Sequence, residues 1–177
     1  MVGDPIVTPL AHAAHFSEKI AQLPNCYQPN DAKRARPAPT SRAAAAAHGI
    51  GPERLRFAPL LPLEQHLARL ACADVFLDTW PCNAHTTAGE ALWMGVPVVT
   101  LVGATFAQRV GASLLHQVGM DELVCADEAG YVETVAALVA DAPRRAALRE
   151  RLERERTASP LFDGERFARD FEALCER

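Results

Sequence analysis

Residues Val75–Leu101, VFLDTWPCNAHTTAGEALWMGVPVVTL, decide the fold of this chain. The stretch is typical of an apolar strand, a polar turn, a helix, a Gly-Val-Pro break and a second apolar strand. His85, Thr86 and Thr87 fall where the turn becomes the helix. A helix N-terminus presents unpaired backbone N–H groups and a partial positive charge, and two hydroxyls and an imidazole add to it. The pattern therefore predicts a phosphate or diphosphate site on an α/β sheet.

Short apolar strands and amphipathic helices alternate on both sides of this stretch. The predicted strands are Leu55–Ala58, Val75–Thr79, Val96–Val102 and Glu122–Cys125, and the predicted helices are a segment starting at Pro62, Thr86–Met94, Phe106–Val118, Tyr131–Ala140, Pro143–Thr157 and Glu165–Glu176. This alternation predicts a Rossmann-like parallel sheet with flanking helices on both faces. In such sheets the ligand lies outside the carboxyl ends of the strands, which is where the turn Thr79–Thr87 falls.

Residues 1–42 do not show this alternation of strands and helices. Four prolines, Pro24, Pro29, Pro37 and Pro39, interrupt any regular element there. A short strand is predicted between Pro5 and Pro9. We therefore expect residues 1–42 to be a segment distinct from an α/β domain over residues 43–177.

Composition excludes several classes of function. The 177 residues carry a net charge of −4, which does not suggest a nucleic-acid surface, and no apolar run is long enough to span a membrane. No leader pattern is evident, and no CxxC occurs among the five scattered cysteines, so we expect a cytoplasmic protein with reduced thiols. His12 and His15 lack a third ligand nearby, so no metal is expected. No dinucleotide fingerprint, P-loop or nucleophile elbow is present.

The motifs are specific enough to indicate a family. Asp74–Leu101, with the flanking segments His12–Asp31, Leu63–Thr79, Phe106–Val124 and Ser159–Arg177, resembles the C-terminal catalytic half of the protein O-GlcNAc transferase and SPINDLY-like glycosyltransferases. The resemblance implies the C-terminal half of a GT-B glycosyltransferase, in which a nucleotide sugar binds between two Rossmann-like halves. It implies transfer of GlcNAc from UDP-GlcNAc to Ser/Thr of a protein acceptor, with the UDP-sugar as substrate and no cofactor.

The same resemblance suggests a set of nucleotide-sugar-binding residues and no catalytic residue within this chain. His85, Thr86 and Thr87 match a diphosphate motif, Glu90 stands where the family carries an aspartate for the ribose, and the helix with His66 and Arg69 approaches the uracil and phosphates. Thr105 and Arg109 match a segment that lines the donor site from the next strand end. The alternatives left open are an ordinary helix cap for the His-Thr-Thr motif, a first-turn acid for Glu90 and solvated surface for His66, Arg69 and Arg109. Asp78 and Asn83 are expected to hold the turn by side-chain to backbone hydrogen bonds.

The chain also departs from the family pattern. A Phe-Asn-x-x-x-Lys motif, whose lysine contacts the donor diphosphate, is missing, and the chain has only Lys19 and Lys33. Losing one preorganised contact of this kind typically costs about 10²–10³ in rate. The family's N-terminal half, with its candidate base and acceptor groove, has no counterpart either. We therefore expect a truncated, internally deleted member with fewer strands than the full domain. In it, residues 1–42 would be a remnant of the N-terminal half and the interdomain linker, and residues 43–177 the nucleotide-sugar-binding domain.

Removal of a central strand has structural and functional consequences. It predicts an exposed sheet edge, marginal stability, and pairing with a complementary half-domain or self-association. Three functions stay open at this point: a UDP-sugar-dependent glycosyltransferase, a half-domain that binds a nucleotide or a partner without turnover, and an inactive remnant.

Overall fold

The computed structural model describes residues 2–3, 6, 10–11, 21–22 and 48–176. Strands β1 (Val2–Gly3) and β2 (Ala21–Gln22) form a parallel pair. Strands β3 (Phe76–Leu77), β4 (Val98–Leu101) and β5 (Val124–Cys125) form a parallel sheet in the order β3-β4-β5. Phe76 pairs with Val98, and Thr100 pairs with Val124. The predicted parallel α/β sheet is confirmed.

Helices separate and follow these strands. They are α1 (Leu63–Leu70), α2 (Thr86–Trp93), α3 (Val110–Gln117), α4 (Glu128–Ala140), α5 (Ala142–Ala158) and α6 (Gly164–Cys175). Short 3-10 turns lie at Pro52–Arg54, Phe106–Gln108, Asp121–Leu123 and Pro160–Phe162. Helices α3 and α4 both pack against β4, which makes β4 the centre of the core.

The core forms where β4 meets its neighbouring helices. All four residues of β4 are buried, as expected for a strand with a neighbour on each side and helices packed against it. Gly95 links α2 to β4 with φ +74°, a left-handed conformation that favours glycine. The Val96 amide donates to Ala91 O over 2.8 Å, so the helix closes directly onto the strand. The Gly-Val-Pro break is therefore a compact helix stop.

One predicted strand is wrong. Leu55–Ala58 forms no strand; Leu55 is half-buried and the next three residues are exposed. A strand needs a neighbour for its backbone groups. Within the described residues β3 is the edge of the sheet, so this segment does not lie beside β3 and has no strand partner. Leu77 of β3 is 52% exposed, unusual for a parallel strand and in keeping with the expected exposed edge.

Other predicted boundaries change in detail. The predicted helix Phe106–Val118 is divided into a 3-10 turn and α3, and the first half of the predicted strand Glu122–Cys125 is a 3-10 turn that precedes β5. Ile6 lies in a turn, which contradicts a strand at that residue, whereas the neighbouring Val7 and Thr8 lie outside the described residues.

Several further predictions cannot be compared with the described residues. His12, His15 and the segment Tyr27–Asn30 lie outside them, as do Lys19 and Lys33. The division at residue 42 falls in the same region and stays a prediction. No helix in the described part of the chain is long and apolar enough to cross a membrane.

Candidate functional site

The turn between β3 and α2 is built on the carboxylate of Asp78. Oδ1 of Asp78 accepts hydrogen bonds from the amides of Thr79 (2.8 Å) and Ala84 (2.6 Å). Oδ2 accepts the Thr100 hydroxyl of β4 at 2.6 Å. One buried side chain thus ties both ends of the turn to the central strand, and the expected role of Asp78 is confirmed.

Burial sets the electrostatics of this carboxylate. It raises the pKa of Asp78 above its ordinary value, while the bonds from Thr100, Ala84 and Thr79 and the nearby charge of His85 oppose that rise. The Tyr131 hydroxyl of α4 donates to the Asp78 carbonyl at 3.1 Å. Burial first, and the Asp78 charge second, raise the pKa of Tyr131. The phenol therefore keeps its proton and serves as a donor.

Asn83 braces the same turn from the other side. Its Nδ2 donates to Thr79 O at 3.2 Å, and its Oδ1 accepts the Gly111 amide of α3 at 3.3 Å. A Cβ on Gly111 would overlap the Thr100 hydroxyl and the Asp78 carboxylate, so α3 approaches closely because residue 111 has no side chain. The role expected for Asn83 is also confirmed.

Sequence reasoning missed Thr100, Gly111 and Tyr131 as parts of this network. One signal was available, because Thr100 is the polar residue in the otherwise apolar strand Val98–Leu101 and is fully buried. Buried polar groups in native proteins have hydrogen-bond partners, so such a residue points to a partner elsewhere. The partnerships of Gly111 and Tyr131 had no comparable local signal.

Helix α2 begins directly after this braced turn. His85 is the N-cap and makes no side-chain capping hydrogen bond. The first helical bond that starts from the cap runs from the Gly89 amide to His85 O, at 3.1 Å. The amides of the first turn precede the first of these helical hydrogen bonds, and they carry the positive end of the helix dipole. Thr86 and Thr87 stand there half-buried, at the carboxyl end of β3.

A second group of predicted residues meets between α1 and α2. Nε2 of His66 lies 3.2 Å from Oε2 of Glu90, and Nη2 of Arg69 lies 3.0 Å from Nδ1 of His66. The Arg69 Nη1 donates to Pro59 O at 2.9 Å. The side chains of His66 and Glu90 are only 20% and 22% exposed. The structure therefore brings all three together, with Glu90 one turn along α2 from Thr86.

A cavity of about 240 Å³ lies beside this group. Its walls are mainly apolar and come from several elements, among them Leu67, Trp93, Leu114 and Phe162. Glu90 is the charged residue among those that line the cavity. Small-molecule sites are usually mostly apolar clefts with a few polar groups.

Thr105 and Arg109 lie after the next strand of the sheet. Thr105 is the N-cap of the 3-10 turn Phe106–Gln108, and Gln108 Oε1 accepts its amide at 3.1 Å. The Arg109 guanidinium donates to Gly103 O at 3.0 Å and also to Ile6 O. These contacts show how the loop after β4 is held, and a donor-site role for both residues stays a prediction. Within the described ranges, no group of three His, Cys, Asp or Glu side chains could hold a metal ion.

The chain is similar to known glycosyltransferases over most of its length. The sequence model of glycosyl transferase family 41 matches residues 34–171. A SPINDLY protein of Solanum lycopersicum is 39% identical over 127 residues, covering 71% of this chain and 14% of that protein. The Caenorhabditis elegans UDP-N-acetylglucosamine--peptide N-acetylglucosaminyltransferase is 39% identical over 126 residues, covering 71% of this chain and 11% of that protein.

Two further similarities extend over almost the whole chain. A solved structure of a Thermobaculum terrenum O-GlcNAc transferase, a lysine-to-methionine mutant, matches 99% of this chain and 43% of that chain, at 28% identity and a TM-score of 0.82. The SEC protein of Arabidopsis thaliana is 28% identical over 234 residues, covering 97% of this chain and 24% of that protein. Because the chain has only 177 residues, the 234-residue alignment includes positions of SEC that have no counterpart in this chain. The chain spans less than half the length of each of these relatives.

Proposed function

Because the chain belongs to glycosyl transferase family 41, we propose that it forms the donor-nucleotide-binding part of a glycosyltransferase and binds the diphosphate of UDP-GlcNAc. The observation that carries the proposal is the start of α2. Thr86 and Thr87 stand there half-buried, next to His85, on a helix that begins without a side-chain cap. The donor is taken from the name of the Caenorhabditis elegans relative, which contains UDP-N-acetylglucosamine.

The chemistry of this helix end suits a leaving diphosphate. Negative charge accumulates on the diphosphate as the bond to the sugar breaks, and fixed backbone dipoles and hydroxyls aimed at it stabilise that charge without reorganising. The Asp78 network supports this assignment because it fixes the turn that carries His85. Residues 48–176 contain no lysine, so the helix terminus has to hold the anion without the ammonium group that the family motif supplies.

The nucleoside half of the donor fits the neighbouring group. Glu90 lies one turn from Thr86 and lines the 240 Å³ cavity, so we assign it to the ribose hydroxyls. His66 then lies on the side of the base, with Arg69 behind it. Thr105 and Arg109, at the end of the next strand, are assigned to the rim of the donor site.

Binding and turnover are separate parts of this proposal. Glycosyl transfer needs a positioned anomeric carbon and a base for the acceptor hydroxyl, and no residue described above is assigned to either task. We assign donor binding to this chain and expect transfer of GlcNAc to a protein acceptor only when a complementary N-terminal half is supplied. The chain's small share of its relatives' length is in keeping with this division.

Calorimetric titration with UDP tests the proposal. We expect micromolar binding by the folded chain and its loss in the Thr86→Ala/Thr87→Ala double variant, because two hydroxyl donors to the diphosphate are removed. Thr157→Ala is the matched control, since Thr157 is an exposed threonine on α5. Absence of UDP binding by a chain with an intact circular dichroism spectrum would contradict the proposal, as would unchanged binding by the double variant.

A further inference from the structure

The hydrogen bonds of His66 define which of its ring nitrogens carries the proton. Arginine only donates, so Nδ1 of His66, 3.0 Å from the Arg69 Nη2, has to accept. In a neutral imidazole the other nitrogen then carries the hydrogen, and Nε2–H donates to Oε2 of Glu90 at 3.2 Å. Arg69, His66 and Glu90 therefore form a one-way chain of hydrogen bonds that ends on a carboxylate.

The two end residues of this series of hydrogen bonds, Arg69 and Glu90, differ in how firmly they are held. Arg69 is anchored to the backbone by its bond to Pro59 O. Glu90 receives its bond on one oxygen, no second hydrogen bond of its carboxylate is found within the described part of the chain, and its side chain lines the cavity. A glutamate has more rotamer freedom than the aspartate usual in the family, and a bond to one oxygen fixes the direction of the other.

We propose that Arg69 and His66 are positioning residues that orient Glu90, so that its free oxygen accepts a ribose hydroxyl and the site selects ribonucleoside over 2′-deoxyribonucleoside diphosphates. The ribose part rests on the proposed function, in which Glu90 faces the sugar. Arg69 then affects ligand binding indirectly, through its hydrogen bond to His66, and does not contact the phosphates.

Glutamine offers a test of this geometry. An amide in place of the imidazole has one acceptor and one donor group, so His66→Gln can accept from Arg69 and donate to Glu90 as the histidine does. His66→Leu keeps bulk and removes both bonds. Arg69→Met keeps the length of the side chain and removes the donor to Nδ1. If these hydrogen bonds orient Glu90, His66→Gln retains the preference for ribonucleoside over 2′-deoxyribonucleoside diphosphates, and the other two variants lose it.

The first measurement is long-range ¹H–¹⁵N NMR of the His66 ring near neutral pH. We expect the Nε2–H tautomer in the wild-type chain and, in Arg69→Met, the same tautomer with a changed ¹⁵N chemical shift at Nδ1, because that nitrogen loses its donor while Glu90 still accepts from Nε2–H. A ring that carries its proton on Nδ1 in the wild type, or an Nδ1 chemical shift unchanged by Arg69→Met, would overturn the proposal. This measurement needs no ligand, so it decides the hydrogen-bond chain even if the proposed function fails.

The second measurement compares UDP, 2′-deoxy-UDP and inorganic diphosphate as ligands. Since a hydrogen bond to a charged group is worth more than a neutral one, we expect wild type and His66→Gln to prefer UDP over 2′-deoxy-UDP by about tenfold or more. His66→Leu and Arg69→Met should bring the two affinities to within about twofold and leave inorganic diphosphate binding unchanged. A general loss of structure would weaken all three ligands alike and would overturn the positioning role. Failure of the wild type to bind either UDP or inorganic diphosphate would instead contradict the proposed function.

Discussion

The helices around the candidate site and the helices at the end of the chain begin in different ways. Asp127, Asp141 and Asp163 cap α4, α5 and α6, and each carboxylate accepts an amide of the first turn at 2.8 Å. The N-cap residues of α1, α2 and α3 are Pro62, His85 and Arg109, and none of them makes a side-chain capping bond.

This difference separates local stabilisation from stabilisation by distant contacts. A carboxylate cap satisfies first-turn amides and complements the helix dipole, and it would also repel a diphosphate brought to the same place. The start of α2 lacks such a cap and is held instead by Asp78 and Asn83, through the turn that precedes it. The end of a helix that binds an anion has to be fixed by its surroundings.

The largest effect is expected from removing the support of the α2 turn. Asp78→Ala leaves two backbone amides and the Thr100 hydroxyl without their acceptor, and each buried unsatisfied group costs about 1–3 kcal/mol. We expect the free energy of unfolding, measured with urea, to fall by about 3 kcal/mol or more. Asp78→Asn is the control, because the amide oxygen can accept from both backbone amides while its NH₂ donates to the Thr100 hydroxyl. Equal losses in both variants would show that the hydrogen bonds do not hold the turn.

A smaller effect is expected at the close approach of α3. The added methyl group of Gly111→Ala would overlap the Thr100 hydroxyl and the Asp78 carboxylate, and such overpacking costs about 1–3 kcal/mol. Gly164→Ala at the start of α6 is the matched control, since nothing lies within 4 Å of an added Cβ there. Thermal unfolding of the two variants should separate them, and an unshifted midpoint for Gly111→Ala would contradict the packing around Asp78.

The caps of the C-terminal helices should matter for stability alone. Asp127→Ala removes the acceptor of the Gly130 amide and should lower the free energy of unfolding by about 1 kcal/mol. Calorimetry on the same variant should give an unchanged UDP affinity, because Asp127 is not among the residues assigned to the donor site. A drop in UDP affinity comparable to that of Thr86→Ala/Thr87→Ala would remove the distinction between the two sets of helices.

The smallest effect concerns pH. Burial raises the folded-state pKa of Asp78 above 3.8, so the stability that comes from proton binding by this group is fully present below the unfolded pKa and is lost as pH rises through the folded pKa. The free energy of unfolding of the wild type minus that of Asp78→Asn should therefore decrease as pH rises from about 4 upward. Denaturant titrations at several pH values measure this difference, and a rise with pH would show that hydrogen bonding outweighs burial.

Much of the region between β3 and β4 could be predicted because its signals are local. The start of α2 at Thr86, the stop at Gly95 and the buried strand Val98–Leu101 follow from apolar runs and from residues that break helices. The predicted strand at Leu55–Ala58 failed because a strand exists only where another strand pairs with it, and a short apolar run carries no information about its neighbour.

The sequence by itself determined the order of elements, the position of the His-Thr-Thr motif at a helix start and the family, because these depend on neighbours along the chain. Only the tertiary structure decided that Asp78 meets Thr100, that Gly111 lets α3 approach both, and that His66 reaches Glu90. His66 and Glu90 are separated by 24 positions, and Asp78 and Thr100 by 22, so each contact exists only once the sheet and its helices have packed. Packing distances between separate elements are not encoded in any local pattern of residues.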